Sequence, residues 1–232
     1  AIGLGTSGYH HMLVKNDVKW TNREAHGEFV DKVYEDINYY AILESMEIAK
    51  EKGSYKEFKG SDWQTGAYFE LRDYNSDRWE KLKENVAING LRNGYLMAIA
   101  PTSSISILVG TTQTIEPVYK KKWFEHNLSG MIPVVVPNLT LDTWNFYTSA
   151  YDLDQTLLVK AAAVRQKWID QGQSLNIFIS LDKASGGLLN SIYTLAWKLG
   201  VKSTYYLRSQ SPDTVAAEKA AMDRSIECEG CQ

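Results

Sequence analysis

Residues 96–106 of this chain read LMAIAPTSSIS and join two kinds of secondary structure. The first five residues form a short apolar run, which is typical of a buried strand, and the run stops at Pro101. A proline followed by hydroxyl residues is well suited to open a helix. The segment therefore predicts a strand that passes directly into a helix.

Upstream of this segment, the sequence predicts two helices. Capping-box spacing over residues 21–24 opens the first helix, and Gly53 ends it. The predicted inward face of this helix consists of Val30, Val33, Ile37, Tyr40, Ala41 and Ile48. The second helix closes at residues 89–90, and its apolar positions at helical spacing are Trp79, Leu82 and Val86.

Downstream, helices and strands continue to alternate. Apolar spacing predicts a third helix over residues 157–171, a strand over 175–179, a fourth helix over 188–199 and a strand candidate over 201–207. Strands that alternate with helices indicate an α/β layout with parallel strands.

The totals of the sequence exclude several classes of function. The 232 residues, 44% of them hydrophobic, can bury a core in one large domain or two small ones. A net charge of -3 gives no electrostatic footprint for nucleic acid. No run of eighteen apolar residues and no signal peptide is found, so no membrane association is expected. Because the chain does not begin with Met, either the initiator was removed or the chain is a piece of something longer.

The two cysteines, Cys228 and Cys231, lie within five residues of the end of the sequence. Cysteine usage this sparse favours the cytoplasm. A zinc site would need two more ligands, and the four histidines do not have finger spacing, so no metal site is predicted. A C-x-x-C pair can form a short reversible disulfide, although two idle thiols at a disordered end are the alternative. The polar composition after Ser211 divides the chain into a folded region, 1–211, and a tail, 212–232, that is expected to be mobile.

Two further segments can carry chemistry. Free backbone N–H groups after Pro101, together with the positive end of the helix dipole, form a site for phosphate. The alternative is that these hydroxyl residues only cap the helix. The adjacent residues Tyr205 and Tyr206 are expected to point to opposite faces if they lie in a strand, one in the core and one on the surface.

Taken together, residues 100–117, the tyrosine pair and the ending CEGCQ resemble the C-terminal part of the large subunit of class I ribonucleotide reductases. The amino-acid sequence is most similar to that of large subunits from tailed phages. The resemblance covers essentially the whole chain. It implies an α/β fold, namely the C-terminal half of the family's ten-stranded α/β barrel, followed by the flexible tail. It also implies that residues 101–106 and the tyrosine pair face one shared cavity.

The resemblance assigns roles to particular residues. It implies that Thr102, Ser103, Ser104 and Ile105 hold the diphosphate of the substrate through backbone amides and hydroxyls. Tyr206 would receive the radical equivalent from the small subunit, and Tyr205 would pass it to a cysteine in the active site. Cys228 and Cys231 would reduce the active-site disulfide and be recharged by thioredoxin or glutaredoxin.

The partners that follow from this resemblance are the N-terminal part of the large subunit, a small radical-generating subunit, a thioredoxin-like donor and a ribonucleoside diphosphate. The metal-radical cofactor is expected in the small subunit, and no cofactor is expected to be bound by this chain. Reduction in this family needs five cysteines, whereas residues 1–227 contain none. The chain is therefore expected to be incomplete as an enzyme on its own, either as half of a split subunit or as a partial sequence.

Two other interpretations remain. One is a non-catalytic interaction module whose C-x-x-C tail exchanges disulfides. The other is an unrelated phosphate-binding α/β barrel enzyme, for which Glu116 is the only acid near the phosphate segment in the sequence. A split half would also expose a large apolar surface and be poorly soluble alone.

Overall fold

A computed structural model describes residues 1–127 and 130–211 of the chain. Its secondary structure elements within these residues are, in chain order, α1 (Tyr9–Lys15), α2 (Arg23–Lys52), α3 (Asp62–Thr65), α4 (Ala67–Leu71), α5 (Asp77–Asn89), α6 (Ser103–Leu108), β1 (Lys122–Asn127), β2 (Gly130–Val135), α7 (Gln155–Trp168), β3 (Ile177–Ser180), α8 (Gly186–Lys198) and β4 (Leu207–Gln210).

Four extended segments form the centre of the fold. Leu4 pairs with Met97 and Ile99 with Gln173, both in parallel orientation. Strands β3 and β4 are also parallel, with Ile177 opposite Leu207. The four segments therefore lie side by side in chain order, and helices connect each to the next, which confirms the predicted α/β layout. Across the described residues they form an open arc and not a closed barrel. Strands β1 and β2 form a separate antiparallel hairpin.

Stacked aromatic rings and one hydrogen bond join three of the helices. Tyr74 stacks on Trp79 of α5 at 4.3 Å between ring centroids and on Trp168 of α7 at 4.8 Å. The indole N–H of Trp168 donates to Asp31 of α2 at 2.7 Å. Since large aromatic rings contribute much of a core's buried apolar area, this cluster fixes how α2, α5 and α7 pack. The predicted inward face of α5 is confirmed, because its residues Trp79, Leu82 and Val86 are all buried.

The predicted inward face of α2 is only partly confirmed. The bounds of the helix and its end at Gly53 are as predicted, and Val30 is buried, but Tyr40 is 62% exposed. The buried stripe is instead formed by His26, Val30, Tyr34, Asn38, Ile42, Ser45, Met46 and Ala49. Polar members of this stripe are tolerated because they are hydrogen-bonded: Asn38 donates to the Tyr74 hydroxyl at 3.0 Å, and Ser45 donates to Asn93 at 3.1 Å.

Two further boundaries differ from the prediction. Helix α7 ends at Trp168, because Arg72 donates to the carbonyls of Gln166, Lys167 and Ile169 and so satisfies the helix C-terminus there. Strand β4 begins only at Leu207, so the tyrosine pair precedes the strand.

Asp170 connects the end of α7 to the second extended segment. Its carboxylate, 5% exposed, accepts the backbone N–H groups of Leu96 and Met97, each at 2.8 Å. Asp170→Asn would replace one acceptor with a donor that faces an N–H group. We expect this change to lower the free energy of unfolding by about 2–3 kcal/mol, because a buried donor loses its partner. Denaturant unfolding measures this, and the exposed change Asp182→Asn is the control, expected to stay within about 0.5 kcal/mol.

Two buried histidines make the fold sensitive to acid. The Nδ1 of His10 accepts the N–H of Val118 at 3.1 Å, so its Nε2 carries the proton and donates to the Phe146 carbonyl at 3.0 Å. Burial lowers the pKa of His10 to about 3 and that of His26 to about 4. Both rings therefore stay neutral in the fold, whereas the unfolded chain takes up protons below its pKa of about 6.5.

The free energy of unfolding should accordingly be highest above pH 6.5 and fall as the pH drops towards 4, by up to about 1.4 kcal/mol per pH unit for each histidine. Denaturant unfolding at pH 7.5, 6 and 5 measures this slope. His10→Gln should be less stable than the native chain at pH 7.5 but should lose less stability on acidification. An unchanged slope in that variant would show that His10 does not cause it.

Candidate functional site

Residues 101–106, the predicted phosphate segment, form a tight turn into the short helix α6, as the sequence predicts. Thr102 has a left-handed backbone with φ 50°, and its carbonyl accepts the N–H of Ser106 at 3.1 Å. The Thr102 side chain makes no capping bond to the start of α6. Ser103 and Ser104 are exposed. The alternative that these hydroxyl groups serve to cap the helix therefore fails at Thr102, the capping position itself.

A pocket of about 680 Å³ lies beside this turn. Ser103 and Ser104 line it, whereas Thr102 and Ile105 are not among its lining residues. Ile105 is 58% exposed. The opposite walls come from the loop that follows α6, from the β1–β2 hairpin and from the start of β3. Two of the four predicted phosphate residues thus face a cavity large enough for a nucleotide-sized ligand.

Glu116 and Asn176 form a buried polar pair in the pocket wall, with 1% and 4% exposure. The Glu116 carboxylate accepts the backbone N–H of Asn176 at 2.8 Å and its side-chain Nδ2 at 3.3 Å from both oxygens. Burial raises the pKa of Glu116, and hydrogen bonds from Thr114 and Asn176 and the positive charge of the buried Arg165 oppose that rise. The Glu116 carboxyl group therefore acts as the hydrogen-bond acceptor for the backbone and the side chain of Asn176.

Tyr205 and Tyr206 lie against each other, with 4.0 Å between ring centroids and 51° between ring planes. The expectation that they point to opposite faces is wrong, because alternation applies within a pleated strand and β4 starts after them. The rings are 46% and 52% exposed. A side-chain hydrogen bond with Tyr206 raises the pKa of Tyr205.

The tyrosine pair lies behind the pocket wall and does not line the pocket. Arg208 lines the pocket, and its guanidinium lies 4.9 Å from the centroid of the Tyr206 ring. Asn176 also lines the pocket, and its Oδ1 accepts the N–H of Tyr206 at 3.3 Å. The prediction that the segment 101–106 and the tyrosine pair face one shared cavity is therefore wrong. The cavity adjoins Ser103 and Ser104, and Arg208 and Asn176 connect its wall to Tyr206.

The comparison with protein families agrees with this geometry. The model of the ribonucleotide reductase barrel domain matches residues 1–207. The chain belongs to the ribonucleotide reductase barrel-domain family. An arc of parallel segments with intervening helices is what part of such a barrel would form.

Curated relatives carry the name ribonucleoside-diphosphate reductase subunit alpha. The Helicobacter pylori protein is 59% identical over 246 residues, which is 100% of this chain and 31% of that protein. The Treponema pallidum protein is 47% identical over 91% of this chain and 25% of its own length, and the Chlamydia trachomatis protein is 35% identical over 96% and 25%. The chain thus spans less than a third of the length of these reductase relatives.

The sequence did not predict that three residues, Glu116, Asn176 and Arg208, line the pocket. Their partners are far away in the sequence: Glu116 and Asn176 are separated by 60 residues. The one indication in the sequence was Glu116, which lies between Ile115 and Pro117. A charged residue between apolar neighbours is rarely buried unless it is paired, so a partner could have been expected.

The tail predictions fall outside the described part of this reductase-family chain. Cys228, Cys231 and the segment 212–232 lie beyond residue 211, where the description ends. Over residues 1–127 and 130–211, no group of three or more His, Cys, Asp or Glu side chains could hold a metal ion. In the same residues, no helix is both long enough and apolar enough to cross a membrane.

Proposed function

We propose that this chain is the C-terminal portion of the large subunit of a ribonucleoside-diphosphate reductase and contributes three parts of its machinery. These parts are the substrate phosphate site, the radical-transfer tyrosines and the disulfide-shuttling tail. The observation that supports this most is the placement of Ser103 and Ser104 on a pocket whose wall is bonded to a contacting tyrosine pair. A single phosphate loop or a single tyrosine pair would be far less specific.

The diphosphate of the substrate would be bound by Thr102, Ser103, Ser104 and Ile105. The first N–H groups of α6, as in any helix, have no partners inside the helix, the Thr102 side chain does not cap them, and such groups donate well to phosphate oxygens. Ile105 would contribute its backbone alone. Arg208, which lines the same pocket, adds a positive charge that suits a diphosphate.

The tyrosine pair would carry the radical between subunits. Tyr206 would give up an electron and a proton towards the small subunit and regain them from Tyr205, which would in turn take them from a cysteine. The distance of 4.0 Å between the ring centroids supports direct exchange. The metal-radical cofactor would reside in the small subunit, and no residue of this chain is assigned to it.

The reaction balances through thiols. The 2′-hydroxyl of a ribonucleoside diphosphate leaves as water, while a dithiol in the active site becomes a disulfide and supplies two electrons and two protons. Cys228 and Cys231 would then reduce that disulfide and be reduced in turn by thioredoxin or glutaredoxin. In this proposal, residues 1–211 form the C-terminal part of the catalytic barrel and residues 212–232 act as the redox tail.

The remaining cysteines would come from the N-terminal part of the large subunit, which completes the ten-stranded barrel. An apolar groove of about 540 Å³ supports such a partner. Its walls include Ile37, Tyr40, Ala41 and Ile48 of α2, which are four of the six residues predicted to face inward. Its cytoplasmic location and its likeness to tailed-phage sequences stay predictions.

The test is a reductase assay with this chain, the N-terminal part, the small subunit, thioredoxin and a ribonucleoside diphosphate. Ser103→Ala together with Ser104→Ala should raise KM for the substrate about tenfold or more, because hydrogen bonds to a charged phosphate are lost. Ser191→Ala, at an exposed serine of α8, is the control and should leave KM unchanged. No activity with a radical-competent small subunit would refute the proposal.

A further inference from the structure

We infer that Glu116 and Asn176 are positioning residues that fix the backbone at Tyr206, and so the contact between the two tyrosines, from the wall of the phosphate pocket. This inference rests on the proposed function. It assigns the pair no contact with the reacting atoms.

The hydrogen bonds form one continuous path. The carboxylate of Glu116 accepts from Nδ2 of Asn176, and Oδ1 of Asn176 accepts the N–H of Tyr206. The neighbouring backbone completes the hold, since the N–H of Tyr205 donates to the Leu175 carbonyl at 2.7 Å and the N–H of Ile177 donates to the Tyr206 carbonyl at 2.9 Å. The only side chain among these bonds to the tyrosine backbone is that of Asn176.

Glu116 determines which atom of the Asn176 side chain donates and which accepts along this path. A carboxylate only accepts, so it turns the Nδ2 of Asn176 towards itself and leaves Oδ1 for Tyr206. An amide at either position can rotate, but a carboxylate at position 116 leaves one orientation. Because both side chains are almost fully buried, a wrong orientation would leave a donor facing a donor without water to relieve it.

The location of the pair gives the path a function beyond stability. Glu116 and Asn176 both line the pocket that Ser103 and Ser104 line. The group that positions Tyr206 therefore lies at the surface against which a substrate would sit. Loss of the path should disturb radical transfer while the phosphate contacts remain, so kcat should fall and KM should hold.

An exchange of the two side-chain types tests the inference. Glu116→Gln alone leaves two amides that can pair in either orientation, so Oδ1 of Asn176 is no longer reserved for Tyr206, and Asn176→Asp alone sets two carboxylates against each other. In the double variant Glu116→Gln with Asn176→Asp, the new glutamine donates to the new aspartate. The aspartate still accepts the N–H of Tyr206, so the path is restored at the same net charge.

In the assembled reductase, each single variant should lower kcat about tenfold or more with KM within about twofold, and the double variant should return kcat to within about threefold of the native enzyme. Asn176→Asp alone should recover part of its kcat on acidification, because one shared proton between two carboxyl groups restores a donor. The same samples give hydrogen exchange at the Tyr206 amide by mass spectrometry, which should be about tenfold faster in the single variants and restored in the double variant.

Gln155→Leu is the matched control. Gln155 is also buried, and its Oε1 accepts the N–H of Phe178 in β3 at 2.9 Å, but its bonds do not reach Tyr206. It should lower the free energy of unfolding and leave kcat and Tyr206 exchange unchanged. If kcat fell equally in this control, the losses in the single variants would be due to general destabilisation, and the inference would be overturned.

Two other outcomes separate the inference from the proposed function. An inactive native assembly would refute the proposed function, while Tyr206 exchange would still test the positioning role. Single variants with native kcat and native exchange would overturn the inference alone. A loss of kcat in Glu116→Gln that the double variant does not repair would assign Glu116 a direct role in the chemistry instead, and would also overturn it.

Discussion

Tyr206→Phe is expected to abolish reductase turnover in the assembled enzyme, with a loss of about a thousandfold or more, while substrate binding is retained. Phenylalanine keeps the ring that contacts Tyr205 at 4.0 Å but has no phenol O–H, so it cannot lose an electron and a proton together. The ring stays half exposed and its Arg208 contact survives, so the free energy of unfolding should change by less than about 1 kcal/mol. Steady-state kinetics and equilibrium binding of a ribonucleoside diphosphate measure the two effects separately.

Tyr95→Phe provides the control for this experiment. Tyr95 is an exposed tyrosine whose carbonyl accepts the N–H of Ile2, and its substitution should leave kcat unchanged. If Tyr206→Phe also left kcat unchanged, the radical-transfer role would fail and the non-catalytic module would become the better interpretation. That module predicts no effect from either change.

The sequence predicted elements well where large apolar side chains recur at helical spacing. Helix α5 is the clearest case, since Trp79, Leu82 and Val86 have no other way to leave water. The same reasoning succeeded only in part on α2, because that helix has two apolar faces. Its buried face includes Asn38 and Ser45, whose hydrogen bonds no periodicity reports, and four of the six residues predicted to face inward line a groove.

The site was predicted unevenly for a related reason. The turn at Thr102 is local, so proline and hydroxyl residues suffice to predict it. The tyrosine contact depends on where β4 begins, and that start is set by pairing with β3, about 30 residues earlier. Asn176 and Glu116 gain their roles only through each other, and a pair 60 residues apart has no local signature. Family resemblance therefore carried the role assignments that spacing could not.

The redox tail yields the second large expected effect. Replacing both Cys228 and Cys231 with serine should abolish repeated turnover driven by thioredoxin, to less than about one hundredth of the native rate, because serine cannot form the disulfide that passes electrons inward. The first turnover should survive, since the active-site dithiol is already reduced when the reaction begins. A rapid-quench measurement of deoxynucleotide per subunit therefore separates the tail's role from that of the radical path, which Tyr206→Phe would block even in the first turnover.

A small dithiol in place of thioredoxin sharpens this experiment. Such a reagent can reach the active-site disulfide directly, so the Cys228→Ser, Cys231→Ser variant should regain much of its turnover with dithiothreitol and none with thioredoxin. Ser225→Ala, in the same segment, is the matched control and should behave as the native chain with both reductants. If the cysteine variant kept full turnover with thioredoxin, the two thiols would be idle. Electrons would then enter by another route, even though the tyrosine path and the phosphate pocket could still operate as proposed.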